Sequence, residues 1–322
     1  MRSANSIRAL LLPLLLTAFF CDAATTPGSE LLASGKADEA VAVLQKAVAD
    51  NSNDAASFNL LCRAFYSFGN WDQAISACEK STAIDANNSM YHLWLGRAYG
   101  EKADSSSIFS APGWAKKARA EFETAVKLNP ENVDARGDLS EFYVEAPGMM
   151  GGGTDKAEAQ AQALEKLFPA RAHWIRARIA EKKKDYTTAE KEYHEAIQSH
   201  DNSATWLDLA SYFRHRDRLQ EMEDAINHAV DGKVDPPEAL FEGAETLIRT
   251  GRNLSKATEL LRKYLNSGHL VEEAPAFKAH YQLGVALEKQ GDKKGAAQEY
   301  SAALAMAKGF SRAKEALDRV NR

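Results

Sequence analysis

Three stretches of the chain hold residues whose types could do chemistry. His194-Glu195 followed by His200 places two imidazoles beside a carboxylate, the residue types of a hydrolytic zinc site. Such a site needs its second histidine one helical turn after the first, so that both share a face, and the separation of six residues here breaks that geometry. The remaining histidines, His92, His173, His215, His228, His269 and His280, are scattered along the chain and read as packing residues. Gly148 to Lys156 reads Gly-Met-Met-Gly-Gly-Gly-Thr-Asp-Lys, which invites comparison with a phosphate loop. It lacks the Gly-Lys-Ser/Thr ending and no strand pattern precedes it, so it reads as a long loop between helices, with Thr154 as the N-cap of the next one. No serine or cysteine nucleophile stands beside a recognisable base. Cys62 and Cys78 read as two small buried thiols in core positions, with a disulfide as the alternative. These residues point away from catalysis, and the sequence predicts no enzyme, no cofactor and no metal.

The elements that must position such residues come from a repeated unit of about 34 residues. Leu95, Gly96 and Tyr99 mark its first helix. Its second helix carries Ala-x-x-x-aromatic-x-x-Ala, as Ala118, Phe122 and Ala125 before Pro130, then Ala189, Tyr193 and Ala196, then Ala296, Tyr300 and Ala303. Small residues suit the places where paired helices approach most closely. In type and spacing this unit resembles the tetratricopeptide repeat. The resemblance implies an all-α fold, a right-handed superhelical solenoid of antiparallel helix pairs, and a non-catalytic scaffold that binds a protein or peptide. The anchors place units at 28–54 with a truncated first helix, 55–88, 89–132, 133–169, 170–202, 203–236, 237–275 and 277–309, about eight copies in one solenoid over 24–322. Residues 310–322 contain an amphipathic stretch, Ser311 to Val320, that would cap the last unit.

Residues 1–23 have a different character. Arg2 and Arg8 flank a polar start, Ala9 to Phe20 form an apolar run too short to span a bilayer, and Cys21-Asp22-Ala23 offers small residues for cleavage. This is the pattern of a signal peptide, so the expectation is a secreted or periplasmic protein with no transmembrane helix in the mature chain. Lipid anchoring at Cys21 would need a small residue before it, and Phe20 is large. A formal charge of -5 excludes a generic nucleic-acid binder, which needs a strongly basic face.

Departures from the repeat mark three candidate partner surfaces. Two intra-repeat turns are expanded, 104–114 with Ile108, Phe109 and Trp114, and 146–153 with Met149 and Met150. Successive turns lie side by side on one rim of a solenoid, so these apolar residues should form neighbouring loops, either sealing the edge or contacting a partner. Farther along that rim, the turns of units five to eight carry eleven Lys or Arg against five acids, among them Lys182, Lys183, Lys184, Arg214, Arg216 and Arg218. The opposite rim is acidic, with Asp201, Asp231, Asp235, Glu238, Glu272 and Glu273 against Lys233 alone. The basic rim reads first as a solvated rim with no partner, and alternatively as a surface for an acidic partner or a peripheral contact with an anionic membrane, as in an accessory subunit of an envelope or transport complex. The third surface is a groove lined by Asn59, Arg63, Tyr66, Arg97, Glu141 and Arg178. Peptide-binding members of the family hold ligands at such first-helix positions, but Leu93, Gly137 and Glu141 break their carboxylate clamp.

Overall fold

The computed structural model describes residues 27–232 and 234–322, so the leader pattern at 1–23 and Cys21 lies outside the described residues. Among these residues there are seventeen α-helices and no strand. They run as antiparallel pairs: α1 (Pro27–Ala33) with α2 (Ala37–Asp50), α3 (Ala55–Ser67) with α4 (Trp71–Ile84), α5 (Ser89–Asp104) with α6 (Ala111–Leu128), and α7 (Val133–Glu145) with α8 (Thr154–Leu164). Next come α9 (Pro169–Lys182) with α10 (Tyr186–Ser199), α11 (Ser203–His215) with α12 (Leu219–Val230), α13 (Ala239–Thr250) with α14 (Leu254–Leu265), and α15 (Ala276–Lys289) with α16 (Lys293–Met306). A single helix, α17 (Ser311–Val320), lies against α16.

Local chemistry starts and stops these helices. Asp54, Asn132, Asp185 and Asp292 each accept a hydrogen bond from a backbone N–H three residues on, at 2.8–3.1 Å, satisfying donors that a helix start leaves free. Gly291 turns the chain between α15 and α16 at φ +88°, a left-handed conformation that side chains other than glycine rarely adopt. Within pairs, the small residues act as the repeat pattern requires. A Cβ on Gly96 would stand 2.6 Å from the Phe122 ring, and one on Gly284 would stand 2.5 Å from the Tyr300 ring. In these two pairs the helices close to a distance set by glycine against an aromatic.

Two sequence readings are corrected at this level. Cys62 and Cys78 are joined by a disulfide, with Cα atoms 5.2 Å apart, instead of remaining separate thiols. Both occupy fully buried positions on α3 and α4, where the paired helices approach closely enough for the bridge. Thr154 is the first residue of α8 rather than its N-cap; Gly153 holds the cap position, with no side-chain bond to the helix.

Buried apolar residues form a cluster over the first pairs and another over the later ones, both following the stack. A third cluster joins the two ends of the chain. Leu32, Ala37, Ala40 and Ala64 pack with Phe277, Ala303, Ala307, Phe310 and Ala313. Phe68 meets Phe277 with ring centroids 5.6 Å apart, and the Lys308 backbone N–H donates to Asp38 Oδ2 at 3.0 Å. Gly35, at φ +80°, lies so close to α15 that a Cβ there would stand 2.7 Å from Ala276 Cβ. The solenoid thus returns on itself, and its inner wall encloses a lumen.

Candidate interaction surfaces

The inner wall is built by the first helices of the pairs, which touch one another in succession from α1 to α9 and again from α11 to α15. The groove residues lie along it, but their charges are already used. Arg97 Nε donates to Asp138 Oδ2 on the next first helix at 2.6 Å. Arg178 bonds Glu141 through Nη2 at 2.6 Å and Nε at 3.1 Å, and also reaches Glu145 and Glu181. Burial works to lower the Arg178 pKa, but the bonds and charge of Glu141 outweigh it, so the guanidinium stays charged. Arg63 pairs with Glu272 at 2.8 Å and Glu273 at 3.2 Å, across the meeting point of the two chain ends. Tyr66 donates to Glu101 at 3.1 Å and stands edge-on to Trp71 and Trp94. Asn59 is buried, and its Nδ2 has no hydrogen-bond partner among the described residues.

The wall is therefore stitched by ion pairs between neighbouring repeats, rather than lined with arginines open to an acidic ligand. Gly137, a break in the clamp pattern, has its own reason: a Cβ there would stand 2.2 Å from Arg171 Nη2, which lies over the Trp174 ring. Opposite the arginines the wall turns acidic. Asp208 on α11 accepts from Trp174, yet burial pushes its carboxyl up to about 6, against the pull of Arg171. Glu242 on α13 is pushed up to about 7 by burial and by Glu238, Asp208 and Glu245. These acids carry no signal in the linear sequence, because burial, the largest influence on both, arises only when the repeats stack.

The expanded turns do become neighbours. Ile108 and Pro112 from the α5–α6 connection line one cleft of about 720 Å³ with Pro147 and Met150 from the α7–α8 connection. The Met150 carbonyl accepts from Arg119 Nη1 on α6 at 3.2 Å, which ties the second loop to the helix that follows the first. Trp114 folds back, its ring 5.7 Å from Tyr99 and covered by the Lys117 ammonium. Ile108, Phe109 and Met149 instead remain 82%, 93% and 88% exposed. The apolar patch thus divides into a packed part, Trp114 and Met150, and an open part.

The basic rim also divides. Lys182 bonds Glu145 and Arg218 pairs with Glu190 and Glu221. Lys183, Lys184, Arg214 and Arg216 have no carboxylate partner among the described residues, and the Arg216 guanidinium stacks over Tyr186 at 3.5 Å. Histidines on three first helices make the same contact, one that spacing alone did not reveal. His92, His173 and His280 each place Nδ1 2.5–2.7 Å from a second-helix glutamate, Glu121, Glu192 and Glu299 respectively. They tie the two helices of a pair together.

Residues 31–97 match one tetratricopeptide repeat model, and residues 151–204 and 244–309 match another, together more than half of the chain. The chain belongs to the tetratricopeptide repeat family. Among solved structures, this tetratricopeptide repeat protein is similar to yeast Tom70, with 14% identity over 97% of this chain and 66% of that one, at a TM-score of 0.51. It is also similar to a thermophilic tetratricopeptide protein of Thermus thermophilus, TTC0263 (18% identity, 69% of this chain and 95% of that one, TM-score 0.46). MamA aligns at 21% identity over 55% of this chain and 95% of its own, at a TM-score of 0.43. No curated protein matches the chain. The likeness to Tom70 shows the fold alone. Repeats of this family are protein-interaction scaffolds, and no helix among the described residues is long and apolar enough to cross a membrane.

Proposed function

We propose that this protein is an extracytoplasmic, non-catalytic adaptor that holds an apolar, basic segment of a protein partner between its two loop insertions. The cleft carries this reading. Its apolar lining includes Ile108, Pro112, Phe142 and Met150, and it carries five carboxylates against Arg97: Asp138 pairs with Arg97, Glu141 and Glu145 pair with Arg178, Glu101 accepts from Tyr66, and Asp104 has no ion pair among the described residues. Exposed Phe109 and Met149 extend the apolar surface beside it, as anchors for large side chains at an interface. An extracytoplasmic setting is supported by the Cys62–Cys78 disulfide together with the leader pattern, since disulfides persist in oxidising compartments.

The test is a photo-crosslinker at Phe109 in the mature protein, exposed to its own envelope extract. The crosslinked peptide should carry large apolar residues flanked by Lys or Arg, and Ile108→Ser with Phe109→Ser should abolish the crosslink. Both side chains are exposed, so the thermal midpoint should hold, with a stability change within about 0.5 kcal/mol. Crosslinking to acidic peptides, or capture unaffected by the double substitution, would overturn the reading. A second reading, an accessory subunit at a membrane face, is favoured by the unpaired Lys183, Lys184, Arg214 and Arg216. Co-sedimentation with anionic vesicles, lost on Lys183→Glu with Lys184→Glu, would assign the protein to that role instead.

A further inference from the structure

Inside the ring, where α3 and α5 face α13, α15 and α17, lies a cavity of about 350 Å³, which adjoins the loop cleft at Tyr66 and Glu101. Its volume is in the range of small-molecule sites. Seven charged groups face it, and three of them are partnered. Glu101 accepts from Tyr66, Glu245 accepts from Gln282 Nε2 at 2.9 Å, and Glu273 pairs with Arg63. The other four, Glu238, Glu242, Lys278 and Arg312, have neither an ion pair nor a side-chain hydrogen bond among the described residues, and they fall into two like-charged pairs.

The first pair is Glu238 and Glu242, one turn apart at the start of α13, an arrangement that disfavours a helix. Burial and then Glu238 are the largest influences raising the Glu242 pKa, and every charge acting strongly on it is negative. The second pair is Lys278 on α15 and Arg312 on α17. Burial lowers the Lys278 pKa and Arg312 lowers it further, against weaker support from Glu101 and Glu273 and the stronger support of Glu245. Lys278 thus lies between the opposing influences of Glu245 and Arg312, and neither Lys278 nor Arg312 is among the strong influences on Glu242. Aromatic surface, including Phe241, Tyr281 and Phe310, lines the same cavity.

Two carboxylates and two cations without ion pairs, in one cavity with an aromatic side, match a ligand with opposite charges at its two ends. We infer that the lumen binds a small zwitterion, its ammonium group held by Glu238 and Glu242 and its carboxylate by Lys278 and Arg312, with an apolar body against the aromatic wall. The length of this ligand follows from the fold. Neighbouring helices pack about 8–10 Å apart, and an extended chain spans about 3.3–3.6 Å per residue, so a free peptide of two or three residues reaches from α13 to α15. Aromatic faces also attract an ammonium group, adding to the carboxylates at that end.

Titration calorimetry of the full mature protein with leucyl-leucine and leucyl-leucyl-leucine tests this directly. At least one free peptide should bind, and N-acetylation and C-terminal amidation should each weaken that peptide at least tenfold. Glu238→Gln with Glu242→Gln should remove the penalty of acetylation while leaving that of amidation. Lys278→Met with Arg312→Met should do the reverse. These substitutions relieve like-charge repulsion, so circular dichroism should show folded variants. The inference is overturned if neither free peptide binds at millimolar concentration, if blocked and free peptides bind equally, or if only one end matters. None of these readouts depends on the loop cleft.

Discussion

Reversing the charge at Arg63 should open the ring without unfolding its repeats. The Arg63 guanidinium is 2.8 Å from Glu272 and 3.2 Å from Glu273, with 21% of its side chain exposed. An ion pair at such separations has a gross attraction of about 4–6 kcal/mol at an effective dielectric constant of about 20, and desolvation offsets most of it. Removing one partner of a fully buried pair costs about 3–5 kcal/mol. Glu272 is well covered, but Glu273 is half exposed, and screening there brings the loss for Arg63→Ala to about 2 kcal/mol. Arg63→Glu adds repulsion from two carboxylates, for a total of about 3 kcal/mol. That would raise the population of the open ring about 150-fold. Native-state hydrogen exchange reads the change where the ends meet, at the Lys308 amide that donates to Asp38 and along α1 and α2. Amides in α9 and α10 should be unaffected, because contacts in a repeat stack are local. Glu272→Arg added to Arg63→Glu should restore much of the protection. Less than threefold faster exchange at Lys308 in Arg63→Glu, or equal acceleration throughout the chain, would refute the ionic closure.

Two further outcomes follow from buried groups. Replacing Cys62 and Cys78 by serine should lower the unfolding free energy by about 3 kcal/mol, as for other loops of about 15 residues, read as a fall in the urea midpoint of α3 and α4. Asp208 gives a pH dependence whose sign can be worked out. Its folded pKa of about 6 lies above the value in an unfolded chain, so its stabilising contribution is fully present below about pH 4 and is lost as pH rises through 6. Asp208→Asn should therefore gain stability relative to the parent by about 1–2 kcal/mol between pH 4 and pH 7.5, checked by urea titrations at both. A difference between the two proteins that does not change with pH would refute this assignment.

Much of the fold was legible because each repeat carries its contacts within about one period. Gly96 and Phe122, or Gly284 and Tyr300, meet inside one pair, and their types alone mark the close approach. The proximity of the two insertions was also legible, since adjacent repeats fix which turns are neighbours. Charge pairing was not. Arg97 and Arg178 appear free in sequence, but their partners Asp138 and Glu141 sit about one repeat away on the inner wall, and only the helix stagger brings them within bonding distance. The disulfide was missed for a related reason, because approximate repeat positions cannot resolve a Cα separation of 5.2 Å. The ring was the least accessible feature. Phe68 and Phe277 meet only after small rotations between units have accumulated along the whole stack, and no local pattern encodes their sum.

An open solenoid tolerates the gain or loss of a unit, because each unit contacts only its neighbours. The contact of Gly35 with Ala276 and Phe277 removes that freedom here. With α1 and α15 in contact, adding or removing a pair between them would break that contact. Repeat number becomes a property of the whole molecule, and the lineage of this chain can vary its loops far more readily than its count.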